Sequence, residues 1–230
     1  AEAATVVLLR APSPHLRLVP GAEPEGNAHR HALSPIRLRS TEARFSHVPG
    51  ATFALSTPLP HDAWRETLIV AALDAQGRVL DATGLQNAGA LDAVFAPNAK
   101  DAALGATIDG AATRFTLWAP TATNVSLCLF ADGEDSVQGG TPSIAAHWMS
   151  ADPASGVWTH RIPADLRGRR YAFLIDVLVP GVGLVRNRVT DPYALGLNAD
   201  SQASVVLDLE DPATKPEGWV DDRRPDTVQG

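Results

Sequence analysis

The sequence predicts an all-β chain: two consecutive immunoglobulin-like antiparallel β-sandwiches, with a short helix before the linker that joins them. Three observations carry this reading. Short apolar runs alternate with polar residues at a two-residue period, as Val125, Leu127 and Leu129 do against Asn124, Ser126 and Cys128. Turn formers are dense, with 18 glycines and 18 prolines in 230 residues. A single stretch, residues 84–96, has helical spacing, with Leu85, Ala88, Leu91 and Phe95 recurring on one side.

In chain order, strands are expected at residues 5–9, 36–39, 44–55, 67–73 and 78–81. Asp74-Ala75-Gln76-Gly77 closes a hairpin between the last two, with Gly77 free to adopt a positive φ. The helical stretch is interrupted by Gly89 and closed by Pro97, so one or two turns are expected, and residues 97–101 read as a linker. This divides the chain into a first domain at 1–98, a second at 99–212 and an extended tail at 213–230. In the second domain strands are expected at residues 114–118, 124–129, 157–162, 170–177, 182–189 and 204–209, with 141–155 irregular. Tyr171, Phe173, Ile175 and Val177 share one face, and Val157, Thr159 and Arg161 oppose Trp158, His160 and Ile162. About seven strands per half suits a sandwich.

Composition removes several function classes. A net charge of −7 and a pI near 5.4 oppose binding to nucleic acid or to an anionic membrane surface. The longest apolar runs fall far short of the roughly 18 residues of a membrane span. No leader with a basic start and an apolar core is present, and the compartment, cytoplasmic or exported, is left open. Cys128 is the one cysteine, which excludes an internal disulfide. Alternation puts it on the polar side of its strand, as an inert thiol.

No catalytic constellation is visible. The chain has no Gly-x-Ser-x-Gly elbow, no phosphate loop and no His-Glu-x-x-His. His29-Arg30-His31 reads as a solvated loop rather than a metal site, and Asp132-Gly133-Glu134-Asp135 as a polar hairpin tip. Asn124-Val125-Ser126 is a glycosylation sequon only formally, because it lies within an expected strand. Asp191, Asp200, Asp208 and Asp211 cluster in sequence, but nothing near them supplies the scaffold that an acid and a nucleophile need. A neutral partner such as a sugar is permitted. Sugar-binding surfaces stack pyranose faces on flat aromatics, and Trp148, Trp118 and Trp64 are the candidates, with Trp148 the best exposed and Trp158 placed in the core.

Four segments of the second half belong together. They are Phe115-Thr116-Leu117-Trp118-Ala119-Pro120-Thr121-Ala122, Gly156-Val157-Trp158, Tyr171-Ala172-Phe173 and Val189-Thr190-Asp191-Pro192-Tyr193-Ala194. This series resembles the family 48 carbohydrate-binding module that precedes the catalytic barrel of starch-debranching enzymes. Residues 68–86, then Gly89-Ala90-Leu91-Asp92, are similar to the domain preceding that module in pullulanases, and the resemblance spans roughly residues 30–222. It implies the non-catalytic N-terminal modules of an enzyme that hydrolyses α-1,6 branch points in starch, glycogen or pullulan. The catalytic (β/α)8 barrel is expected outside this chain. The implied partners are that barrel and, weakly, α-glucan. No cofactor is implied for this chain, and calcium only for the whole enzyme.

The resemblance also carries a departure. Glycogen-sensing relatives place a Lys between the two aromatics of the Tyr-x-Phe strand, where this chain has Ala172. Their second stacking Trp would fall near Gly183-Leu184, where there is none. The module is therefore expected to support and dock, with Trp118, Asp191, Pro192, Tyr193 and Trp219 as candidate docking residues. The alternatives are a true α-glucan-binding module and a generic sandwich scaffold for protein contacts.

Overall fold

The structure is a computed structural model that describes residues 5–36, 51–85, 88–131 and 142–223. In the first half, β1 (Thr5–Ala11), β2 (His29–Ile36), β3 (Thr52–Leu55), β4 (Thr67–Leu73) and β5 (Val79–Gly84) form one antiparallel sheet in the order β3-β2-β1-β4-β5. β1 lies in the middle, and its apolar run Val7-Leu8-Leu9 feeds both faces. On one face Val7 and Leu9 join Ala71, Leu73 and Val79, and Leu16, Leu18 and Ala28 of the β1–β2 connection pack over them. On the other face Leu8, Leu68, Trp64 and Phe95 meet. Phe95 comes from α1 (Ala88–Ala99), which closes that face with Leu91 and Val94. Among the described residues the layers over this sheet are a helix and a loop.

Several expectations shift here. The helix begins later and runs past Pro97, so residues 97–99 of the anticipated linker belong to its last turn. Docking of Phe95 and Ala99 outweighs the poor propensity of Gly89 and Pro97. His29-Arg30-His31 lies in β2 rather than in a loop, and His31 is half-buried. Residues 37–39 and 44–50 of the expected strands, and the Asp132–Asp135 tip, lie outside the described residues.

The second half is a two-sheet sandwich. One sheet contains β6 (Gly105–Asp109), β7 (Ala112–Trp118), β10 (Ser150–Asp152) and β11 (Val157–Ile162), in the order β10-β11-β7-β6. The other contains β8 (Asn124–Leu129), β9 (Ala145–Trp148), β12 (Arg170–Val179), β13 (Gly183–Val189), β14 (Gly196–Leu197) and β15 (Ser204–Val205). Its order is β14-β15-β12-β8-β9, with β13 also paired to β12. Between the sheets lie Phe115, Leu117 and Trp158 from one side and Val125, Leu127, Tyr171 and Phe173 from the other. This is the alternation read from the sequence. Phe115 and Phe173 each meet Tyr171 edge-on, at centroid distances of 4.9 and 5.7 Å.

Several features were not legible in the alternation. β6 was not foreseen, and the stretch read as irregular carries β9 and β10, which pass the chain from one sheet to the other. The last expected strand pairs only over Ser204–Val205. The tail is not extended throughout. Pro212–Thr214 and Trp219–Asp221 are single 3-10 turns, and Arg167 bridges Asp208 and Asp211 at 3.0 and 3.7 Å. Residues 224–230 of the tail lie outside the described residues.

Candidate functional site

The signature residues of the second half are spent on one another. Trp118 ends β7 and donates its indole N–H to the Ser155 carbonyl at 2.9 Å, while Trp158 donates its own to the Ala119 carbonyl at 3.0 Å. The Ala119 amide donates to the Gly156 carbonyl at 3.0 Å. Gly156 has φ +69°, and a Cβ there would lie 2.6 Å from Pro120 Cβ. The Trp-Ala-Pro and Gly-Val-Trp segments are therefore two halves of one interlock, and glycine is required by both its backbone angle and its neighbour.

The Asp-Pro-Tyr segment is a second interlock. Asp191 is 3 % exposed and accepts the Tyr171 hydroxyl at 2.7 Å through one oxygen and the Tyr193 amide at 2.8 Å through the other. Its own amide donates to Ser204 Oγ at 2.8 Å. Burial raises the Asp191 carboxyl above the ordinary carboxylate range, and burial beside that carboxylate raises the Tyr171 phenol. The Tyr193 carbonyl would lie 2.8 Å from a Cβ on Gly105, which holds φ +94°. A lone buried carboxylate tied to a phenol and an amide fixes a turn. Among the described residues no carboxylate is hydrogen-bonded to Asp191. Asp200, Asp208 and Asp211 lie elsewhere, the latter two held by Arg167. Among the described residues no group of three or more His, Cys, Asp or Glu could hold a metal ion. No helix there is long and apolar enough to cross a membrane.

Trp118 has a partner within the chain. It packs against the Leu8, Trp64, Leu68 and Phe95 cluster of the first half. Arg65 reinforces this seam, with its Nε 3.5 Å from the Pro120 carbonyl and its guanidinium 5.6 Å from the Trp158 ring. Asn98 of α1 donates to the Ala154 carbonyl at 3.2 Å, and Gly181 donates to the Pro14 carbonyl at 3.2 Å. Arg65, Asn98 and Pro14 were not foreseen, because nothing local in a sequence marks a contact between distant segments. Trp64 is 8 % exposed, which closes its ring to a sugar and corrects its reading as a stacking residue.

Ala172, where the resemblance marked a departure, lies on the outer face of the larger sheet. Cys128 and Ala172, opposite each other on β8 and β12, do point there. Both are nonetheless buried, in a small cluster with Phe130 and Ala203. The reading of Cys128 as lying on a polar side is therefore corrected, and burial pushes its thiol pKa up. Arg188 lies 4.6 Å from the Phe130 ring at the rim of this cluster, beside a cleft of about 320 Å³ that Thr190, Ser201 and Gln202 also line. Asp200 and Ser201 hold positive φ angles of 61° and 54° at this rim. Trp148 stands apart on the edge strand β9, 63 % exposed. Tyr193, Leu195, Leu197 and Trp219 are also exposed, at 38, 59, 49 and 59 %.

The family model for carbohydrate-binding module 48, the isoamylase N-terminal domain, matches residues 103–194, and that for the pullulanase N2 domain matches residues 1–93. The chain is 36 % identical over 155 residues to a pullulanase of Klebsiella pneumoniae, covering 67 % of this chain and 14 % of that protein. It is 34 % identical over 170 residues to the chloroplastic pullulanase 1 of Arabidopsis thaliana, covering 71 % and 16 %. The crystal structure of Klebsiella pneumoniae pullulanase complexed with maltotriose superposes with a TM-score of 0.79 at 30 % identity, over 96 % of this chain and 20 % of that one. The chain thus spans about a seventh of the relatives it matches in sequence. Fold, interlocks and relatives agree that it consists of an N2 domain followed by a carbohydrate-binding module 48, the non-catalytic N-terminal modules of pullulanase-type enzymes.

Proposed function

We propose that these modules serve a polypeptide that hydrolyses α-1,6 linkages in branched α-glucans, and that they support its catalytic (β/α)8 barrel by docking. The observation that carries this reading is the Tyr193–Leu195–Leu197 stretch. It is exposed and apolar, yet it hangs from the fully hydrogen-bonded Asp191 turn. Exposed apolar surface on a rigid support suits a protein partner. The buried Ala172 face offers no platform for tight sugar binding. The test is a Leu195→Ser, Leu197→Ser double variant in the whole polypeptide that the gene encodes. Its melting temperature and its kcat on pullulan should fall, while the isolated modules carrying the same changes should melt as before. Unchanged behaviour of the whole polypeptide overturns the docking role.

A second reading rests on Trp148, whose exposure on an edge strand suits stacking on a pyranose ring. It predicts that Trp148→Ala reduces retardation of the chain in gels containing β-cyclodextrin. Equal mobility of variant and parent excludes it.

A further inference from the structure

We propose that His147 and His160 form a pH-operated latch at the edge of the second module's sandwich: neutral, the two rings hold β9 against β11, and charged together they release β9 and its Trp148. The latch is independent of whether Trp148 stacks on a sugar. The rings come from different sheets. His147 lies opposite Leu127 across β8–β9, and His160 lies opposite Phe115 across β7–β11. Leu127 and Phe115 belong to the core, so both histidines sit on the faces that look inward. Their ring centroids are 4.9 Å apart and their planes are inclined by 25°, a stacked pair that bridges the two sheets. The His160 ring also meets the Trp148 backbone carbonyl, so one side chain of β11 holds β9 at two points. β9 needs such a tie, because it is the last strand of its sheet, is 4 residues long, and pairs with β8 alone among the described residues.

A free imidazole titrates near pH 6.5, so the pair changes charge in mildly acidic solution. Two imidazolium rings in contact repel each other, and no carboxylate on the inward faces of the described strands offsets them. There β7 contributes Phe115, β8 Leu127, and β11 Trp158 and Ile162, none of which titrates in this range. Arg114 of β7 and Arg161 of β11 lie on the opposite face, at 3.3 and 3.7 Å from the Asp109 carboxylate. Among the described residues His147 is the one charge that acts on His160. Burial first and His147 second hold the His160 pKa below its ordinary value, and the bond to the Trp148 carbonyl opposes them without prevailing. Protons are therefore bound more tightly when β9 is open, and opening grows as pH falls below about 6.5. Trp148 sits on the outer side of β9, opposite Ser126 and away from His147, so the released strand carries this exposed ring with it.

The experiment is amide hydrogen exchange of the chain between pH 7.5 and 5.5, with each rate divided by its intrinsic value at that pH. It is run on the parent and on His147→Phe and His160→Phe variants, which keep a flat ring and remove a charge. Two amides report on β9: Ile144, which donates to the Leu129 carbonyl at 2.9 Å, and Met149, which donates to the Val125 carbonyl at 3.0 Å. The Phe130 amide, which donates to the Arg170 carbonyl at 3.0 Å, reports on the rest of the sheet. The latch predicts that protection at Ile144 and Met149 falls about tenfold in the parent as pH is lowered, while protection at Phe130 stays level. Either variant should remove that difference. Constant protection at Ile144 and Met149, an equal fall at Phe130, or a fall that persists in a variant of unchanged melting temperature overturns the latch. If both variants melt lower, the parent decides alone, through Met149 against Phe130.

Discussion

The second module buries Phe115, Trp158, Tyr171 and Phe173 between two sheets, whereas the first buries Trp64 and Phe95 between one sheet and a helix. The two modules meet at Trp118, which belongs to β7 by sequence and to the first module's apolar cluster by contact. The aromatic motifs that mark the second module are thus internal fastenings. Trp118 and Trp158 hydrogen-bond to backbone carbonyls, and Tyr171 binds Asp191. The difference teaches that a motif shared with carbohydrate-binding modules can report architecture.

The sharpest way to break the comparison is through the aromatic core. Phe173→Ala removes a fully buried ring and should cost about 3–5 kcal/mol in urea unfolding of the second module. A cost below 1 kcal/mol would mean the sandwich does not depend on its aromatic layer. Trp118→Ala should cost somewhat less, about 2–3 kcal/mol, because the ring is only partly buried. It should also separate the unfolding of the two modules into distinct steps, as read by hydrogen exchange at Leu8 and Leu127. Loss confined to the second module would show that the seam carries no coupling.

Asp191→Ala leaves the Tyr171 hydroxyl and the Tyr193 amide without their acceptor. A buried bond to a charged group is worth about 1.5–3 kcal/mol, which is the expected loss in denaturant unfolding. A loss no larger than that of an exposed Asp101→Ala control would contradict the interlock.

The smallest effect is one of pH. His160 stacks on His147 at 4.9 Å, and burial, then His147, lowers its pKa below 6.5. The folded state therefore holds His160 neutral, and the unfolded state binds the proton more readily. The stability this contributes is present above about pH 6.5 and is lost as pH falls through the lowered value. The urea midpoint of the parent should thus drop more between pH 7.5 and 5.5 than that of His160→Gln. Parallel slopes would remove His160 from the account.

Much of the second module was legible because its strands alternate cleanly. The two faces of β8, β11 and β12 follow directly from the order of their residues. Less of the first module could be read. Val7-Leu8-Leu9 has no alternation because both faces of β1 are covered, and α1 extends past Pro97 because Phe95 and Ala99 are buried by segments far away in the chain. The burial of Ala172 and Cys128 escaped for a related reason. Their alternation does put them on the outer face, but Phe130 and Ala203 cover them there, and periodicity cannot see what folds back over a sheet. The Trp148 exposure was read from its place in residues 141–155, taken as irregular, although Trp148 ends the edge strand β9. The Trp118 seam was not, since its partners lie in the other module.

The most direct test of the central claim compares the release of reducing ends from pullulan by this chain and by the whole polypeptide encoded by its gene, under identical conditions. The account predicts release by the whole polypeptide and none by residues 1–230 alone. Release by these residues alone, or none by the whole polypeptide, would contradict it.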